Sequence, residues 1–171
     1  MPDDDGQERT EAVGAGLDEV GRQWPDLAGR LIDDGRAHVL PVRVYFEDTD
    51  FSGLVYHASY VRWCERGRSD FLRLIGSEHR ALLDGTATGV PAAFVVRRLA
   101  IEYLRPARID DVLEVTTRVG ALTAATLVLH QSVSKGRDVV CEAEVAVVLV
   151  SADGRVLRLS PALRRRLAAS R

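Results

Sequence analysis

The sequence predicts an α+β domain in which an antiparallel β-sheet wraps around one long central helix. Three observations carry that expectation: an apolar helical stripe between residues 58 and 75, a strand-like segment just before it, and four extended segments in succession after it. Four consecutive strands with no helix between them point to an antiparallel meander. A chain of 171 residues is long enough for one such domain with a real core.

Residues 1–38 read as an acidic N-terminal extension, with ten acids against four bases. Residues 1–15 are acidic and poor in apolar side chains, the composition of a disordered segment. Leu17, Val20, Trp24, Leu27 and Leu31 then recur at helical spacing, with Pro25 as a start or kink and Gly35 as the C-cap. The domain proper spans residues 39–171, which carry nineteen bases against fifteen acids.

Val39, Val42, Val44 and Tyr45 mark a strand over His38 to Glu47. In the following helix Tyr60, Cys64, Gly67, Phe71 and Leu74 or Ile75 share one face, and Gly76 ends it. Gly67 costs about 1 kcal/mol of helix propensity relative to alanine, so its place on the apolar face implies that a sheet approaches the backbone there. Arg62, Arg66, Arg68 and Arg73 fall off that stripe and read as solvated. The extended segments cover about 92–104, 111–120, 122–134 and 138–151. In the second, Leu113, Val115, Thr117 and Val119 alternate with Val112, Glu114, Thr116 and Arg118. Lys135-Gly136-Arg137-Asp138 and Ala152-Asp153-Gly154-Arg155 read as turns, and Ser160-Pro161 as the N-cap and N1 of a last short helix.

Several classes are excluded. No apolar run is long enough to cross a bilayer, and the acidic start lacks the pattern of a secretory signal. Cys64 and Cys141 are isolated, which argues for a reducing compartment and against a disulfide scaffold or zinc site. The mildly basic body suits an anionic ligand but is too weakly charged for nucleic acid.

The chemistry concentrates between Glu47 and His57, where three carboxylates, one glycine and one histidine lie between the first strand and the long helix. A helix start presents unpaired N–H groups near Tyr56, His57 and Ala58, which can hold a developing oxyanion. Asp50 precedes Gly53, a residue that permits a tight turn and close approach of a substrate. From these residues alone, Asp48 and Asp50 read equally as helix caps, with His57 a neutral surface side chain.

The run from Val42 to Asp50, then Gly53-Leu54-Val55-Tyr56-His57-Ala58-Ser59-Tyr60, then Glu65-Arg66-Gly67-Arg68, resembles the 4-hydroxybenzoyl-CoA thioesterase family, and within it the Tol-Pal system-associated acyl-CoA thioesterase branch. Phe94-Val95-Val96-Arg97-Arg98 and Tyr103 to Asp111 are similar to that branch as well. The resemblance covers about residues 39–168 and implies a hotdog fold, with the long helix enclosed by the sheet. It implies hydrolysis of acyl-CoA thioesters without metal or other cofactor, and cytoplasmic homodimers or homotetramers with active sites at subunit contacts. Asp50 falls on the catalytic aspartate, as nucleophile or general base, and His57 on the amide donor and side chain at the helix start. Gly53, Tyr56, Ser59, Tyr60 and Glu65 fall to substrate binding, and Arg97, Arg98, Arg105, Arg108 and the Arg164–Arg166 run are candidates for the phosphates of CoA. Acyl-carrier protein is an alternative thioester partner, and a non-catalytic acyl-CoA-binding scaffold of envelope lipid metabolism is the competing function.

Overall fold

The computed structural model describes residues 29–77 and 79–171, together with two short strands, β1 (Leu17–Asp18) and β2 (Gly21–Arg22), which pair antiparallel. The remaining elements are β3 (Arg30–Ile32), β4 (Ala37–Arg43), α1 (His57–Leu74), α2 (His79–Leu83), β5 (Ala92–Tyr103), β6 (Val112–Leu122), β7 (Thr126–Lys135), β8 (Asp138–Ser151), β9 (Val156–Leu157) and α3 (Pro161–Ala169).

Among the described residues seven strands form one antiparallel sheet in the order β3-β4-β6-β7-β8-β5, with β9 pairing the end of β8. Helix α1 packs across the inner face of β4, β6 and β7. This is the expected hotdog architecture, with one correction to the topology. Only β6, β7 and β8 run as a meander; β5 lies beyond β8, at the sheet's far edge. The reason lies in the link from β5 to β6. It passes the start of α1, where Val55 N–H donates to the Ala107 carbonyl (2.9 Å) and Leu54 bridges to Arg108, before β6 pairs with β4 on the other side of the sheet. A second correction concerns the N-terminal segment. Leu31, on the helical stripe, lies in strand β3, paired with His38. Two glycines and a proline interrupt the stripe between Leu17 and Leu31, and an edge strand is available to pair with. Most of the extension lies outside the described residues.

The core divides into two apolar clusters under α1. One holds Tyr60, Trp63, Cys64, Leu113, Val115 and Val133; the other holds Phe71, Leu72, Leu127, Leu129, Val145 and Leu167. Between them runs a buried polar row, His38, Thr117 and Gln131, on three neighbouring strands in register. Gln131 Nε2 donates to the Cys64 carbonyl (2.8 Å) and to Thr117 Oγ1 (2.9 Å), tying sheet to helix. His38 Nε2 pairs with Asp70 (2.8 Å) on the helix. Gly67 sits over this row: a Cβ there would meet Val115 Cγ1 at 3.0 Å and Thr117 Oγ1 at 3.3 Å. The predicted close approach is therefore present, and it fixes the height of α1 above the sheet.

Ser160 caps α3 through its hydroxyl, which accepts from Leu163 N–H (3.2 Å), with Pro161 at N1. Burial pushes the Cys64 thiol up to about 11 and the Cys141 thiol up to about 12, so both are inert core side chains.

Candidate active site

The segment between β4 and α1 is organised by Asp48, which is buried. Its Oδ2 accepts from Tyr45 N–H (3.0 Å) and its Oδ1 from Arg62 (3.2 Å). Its carbonyl accepts from Tyr56 N–H (2.8 Å) and Ser59 Oγ (3.1 Å). Asp48 thus pins the loop to the first turn of α1. Nothing in the sequence distinguished it from Asp50, two positions on; its burial comes from the tertiary structure.

Beyond it the chain makes a tight turn. Gly53 N–H donates to the Asp50 carbonyl (3.0 Å), Asp50 N–H donates to the Leu54 carbonyl (2.9 Å), and Gly53 has φ +74°, a region glycine enters without strain. This turn presents Asp50 to solvent. Oδ1 of Asp50 accepts from the Ser52 hydroxyl and from Ser52 N–H (2.8 Å), and Oδ2 has no partner among the described residues. The Ser52 hydroxyl, and after it the Ser52 amide, hold the Asp50 carboxyl below its usual range. Asp50 is therefore a carboxylate at neutral pH.

Helix α1 begins at His57 with Tyr56 as an extended N-cap that supplies no side-chain cap. Neither Asp48 nor Asp50 caps it, which leaves the first amides of the helix, His57 and Ala58, without partners along the helix. Their partial positive charge is what an oxyanion requires. The His57 ring packs at a tilt of 57° against Tyr56 (centroids 4.3 Å apart) and lies edge-to-face with Tyr103 (6.4 Å). Tyr103 OH donates to the His57 carbonyl (3.2 Å), and Tyr60 OH accepts from Ala107 N–H (3.1 Å). These contacts dock the end of β5 and its following link onto the helix start.

Together they enclose a cleft of about 390 Å³. Asp50, Tyr56, His57 and Tyr60 line one side, and Tyr103, Leu104, Arg105 and Pro106 the other. Four of the seven residues named for the site thus meet in one cleft. Gly53 shapes the turn beside it. Ser59 is fully buried and bonded to Asp48 and Arg62. Glu65 lies eight residues along α1, about 12 Å from the helix start, on a separate recess. Tyr103 is the wall residue that pattern reasoning missed. An aromatic ending a strand just before an Arg-Pro pair was the usable signal. Of the candidate phosphate ligands, Arg105 lines the cleft, whereas Arg98 pairs with Glu144 and Arg166 with the Gly76 carbonyl.

Arg68 departs from the expectation of a solvated charge. It is partly buried, and its Nη1 has no hydrogen-bond partner among the described residues. Burial lowers its pKa, with Glu65 acting in the opposite direction. An unmet buried donor costs about 1–3 kcal/mol. A further hollow of about 630 Å³ lies on the sheet, where Arg118, His130 and Glu144 form a cross-strand polar row. Arg118 pairs with Asp33, and Glu144 with Arg98. Among the described residues no three or more His, Cys, Asp or Glu side chains are placed to hold a metal ion, and no helix is long and apolar enough to cross a membrane.

Residues 52–142 match the Thioesterase superfamily. An acyl-CoA thioester hydrolase, YbgC, of Escherichia coli O6:H1 is 44% identical over 111 residues, covering 64% of this chain and 79% of that protein. The acyl-CoA thioesterase YbgC of Haemophilus influenzae is 38% identical over 120 residues, covering 70% and 84%. Among solved structures, a Bartonella henselae protein described as a probable thioesterase superposes with a TM-score of 0.70 at 40% identity, covering 72% of this chain and 99% of that one. The hypothetical protein TT1821 from Thermus thermophilus superposes with a TM-score of 0.69 at 27% identity, covering 78% and 98%. With a sheet wrapped on one helix and a carboxylate poised at that helix's uncapped start, the chain belongs to the thioesterase superfamily, on a hotdog fold.

Proposed function

We propose that the protein hydrolyses the thioester of acyl-CoA to free acid and CoA in the Asp50–His57 cleft. The observation that carries this reading is the ionised Asp50 carboxylate sharing a cleft with the unpaired amides of the α1 N-terminus. The thioester carbonyl oxygen sits on the His57 N–H, which polarises it and later holds the oxyanion. The Asp50 carboxylate attacks the carbonyl carbon, the C–S bond breaks, and CoA departs as thiolate, a tolerable leaving group that needs little acid assistance. Water then attacks the aspartyl carbonyl of the mixed anhydride, releasing the acid and restoring the carboxylate. In the alternative route the same carboxylate acts as general base on a water that attacks the thioester carbonyl directly. Arg105 at the cleft rim is the candidate for a CoA phosphate.

Strand β5 supports assembly as a homodimer or homotetramer. Among the described residues it pairs on one side alone, and Val95, Val96, Leu99 and Tyr103 are exposed along it. An unprotected edge strand of this kind invites pairing with another copy. The reading extends to a cytoplasmic enzyme of the Tol-Pal-associated branch, with acyl-carrier protein as an alternative thioester carrier, on resemblance alone.

Thiol release from short, long and aromatic acyl-CoAs tests the activity. Turnover by the wild type that disappears in Asp50→Asn supports it. Absence of turnover on every CoA ester, with retained binding, favours the scaffold reading. A single turnover in ¹⁸O-water separates the two routes: label in Asp50 marks the nucleophile, and label confined to the released acid marks a general base.

A further inference from the structure

Arg68 points to a feature of the substrate. Its Nη1 is buried without a partner among the described residues, whereas Arg62 and Arg73 on the same helix pair with Asp48 and Asp70. It lines a recess of about 370 Å³ whose floor is apolar, with Leu72, Phe94, Leu129 and Val147. Glu65 shares the recess but makes no ion pair with Arg68; its carboxylate accepts from Ser69 (2.8 Å). A recess with an apolar floor and a polar rim of Glu65, Arg68, Ser69 and His79 fits a ligand with an apolar body and, where it meets Arg68, an anionic end.

Within one chain this recess is distant from the reaction cleft. Arg68 lies eleven residues beyond His57, about 16 Å along the helix. Along β5 the cleft is at Tyr103 and the recess at Phe94 and Val96, about 25 Å apart. The free edge of β5 changes this. Two copies that pair antiparallel through β5 about a two-fold axis set the Tyr103 end of one strand beside the Phe94 end of the other, about 5 Å away. The recess of one subunit then adjoins the cleft of its neighbour.

We propose, on the basis of the thioesterase reading above, that Arg68 of the partner subunit binds a carboxylate at the far end of the acyl group, so that the preferred substrates are mono-thioesters of dicarboxylic acids. A guanidinium meets a carboxylate through two parallel N–H donors, and desolvation strengthens that pair.

The test compares dicarboxylyl-CoAs from succinyl to suberoyl with methyl-ended acyl-CoAs of equal length. Expected is a wild-type preference for the carboxylate-ended ester at one length, of about 10- to 100-fold in kcat/KM, carried mainly by KM. Arg68→Met should erase that preference and Arg68→Lys should restore part of it. In mixed dimers of an Asp50→Asn subunit with an Arg68→Met subunit, one cleft has both native residues if Arg68 acts across the interface, and about half of wild-type activity on the dicarboxylyl ester returns. The proposal is overturned if Arg68→Met leaves the selectivity unchanged, if the wild type prefers methyl-ended esters throughout, or if the mixed dimer is no better than Arg68→Met alone. Failure of the wild type on every ester refutes the reaction itself, a different outcome from turnover without selectivity.

Discussion

Gly67→Ala tests whether the seat of α1 on the sheet is as tight as the geometry implies. In an exposed helix this change stabilises by about 1 kcal/mol. Here the new methyl meets Val115 Cγ1 at 3.0 Å, Thr117 Oγ1 at 3.3 Å and Gln131 Nε2 at 3.5 Å. Val115 is fully buried in the middle of the sheet, and Gln131 is held by two hydrogen bonds, one to the helix itself. Neither can yield without loss elsewhere. Overpacking costs about 1–3 kcal/mol, and weakening the Gln131 to Cys64 bond adds about 1 kcal/mol. After subtraction of the propensity gain, a net destabilisation of about 1–3 kcal/mol remains. For a domain of this size that lowers Tm by about 2–12 °C. Urea unfolding and a thermal melt measure both quantities. A Gly67→Ala protein as stable as the parent, or more so, would refute the claim that the sheet's polar row sets the helix height.

Asp50→Asn keeps an acceptor for Ser52 and sits on the surface, so the melt should stay within about 0.5 kcal/mol of the parent while kcat falls by about 10³-fold; activity within tenfold of wild type removes Asp50 from the chemistry. Ser52→Ala withdraws the leading cause of the depressed Asp50 pKa. The reaction needs the carboxylate, so the wild type stays active to lower pH, and the acid limb of kcat/KM should move to higher pH in the variant; an unmoved limb would show that Ser52 does not tune Asp50. Cys64 and Cys141 should resist a thiol reagent at pH 8 in the native protein and react on unfolding, because burial keeps both protonated; rapid native labelling would contradict their burial.

Much of the fold was legible because its signals are local. The alternation of Leu113, Val115, Thr117 and Val119, the stripe from Tyr60 to Phe71, the turn at Gly136 and the cap at Ser160 each depend on a few adjacent residues. The strand order was not legible, since the place of β5 depends on contacts between residues 54–55 and 107–108, far apart in sequence. Leu31 misled because helical spacing describes a face and says nothing about which partner is near.

The site divides in the same way. Sequence by itself determined that a carboxylate, a tight turn and a helix start come in succession, which placed Asp50 and His57 together. Only the tertiary structure decided the rest. It separated Asp48, buried and bonded, from Asp50, exposed with an oxygen that has no partner among the described residues, although the two are identical side chains with only Thr49 between them. It brought Tyr103 to His57 across 46 positions, and it left Arg68 Nη1 buried with no hydrogen-bond partner among the described residues. The physical reason is that hydrogen-bond satisfaction and desolvation are set by neighbours in space, which the linear pattern does not contain.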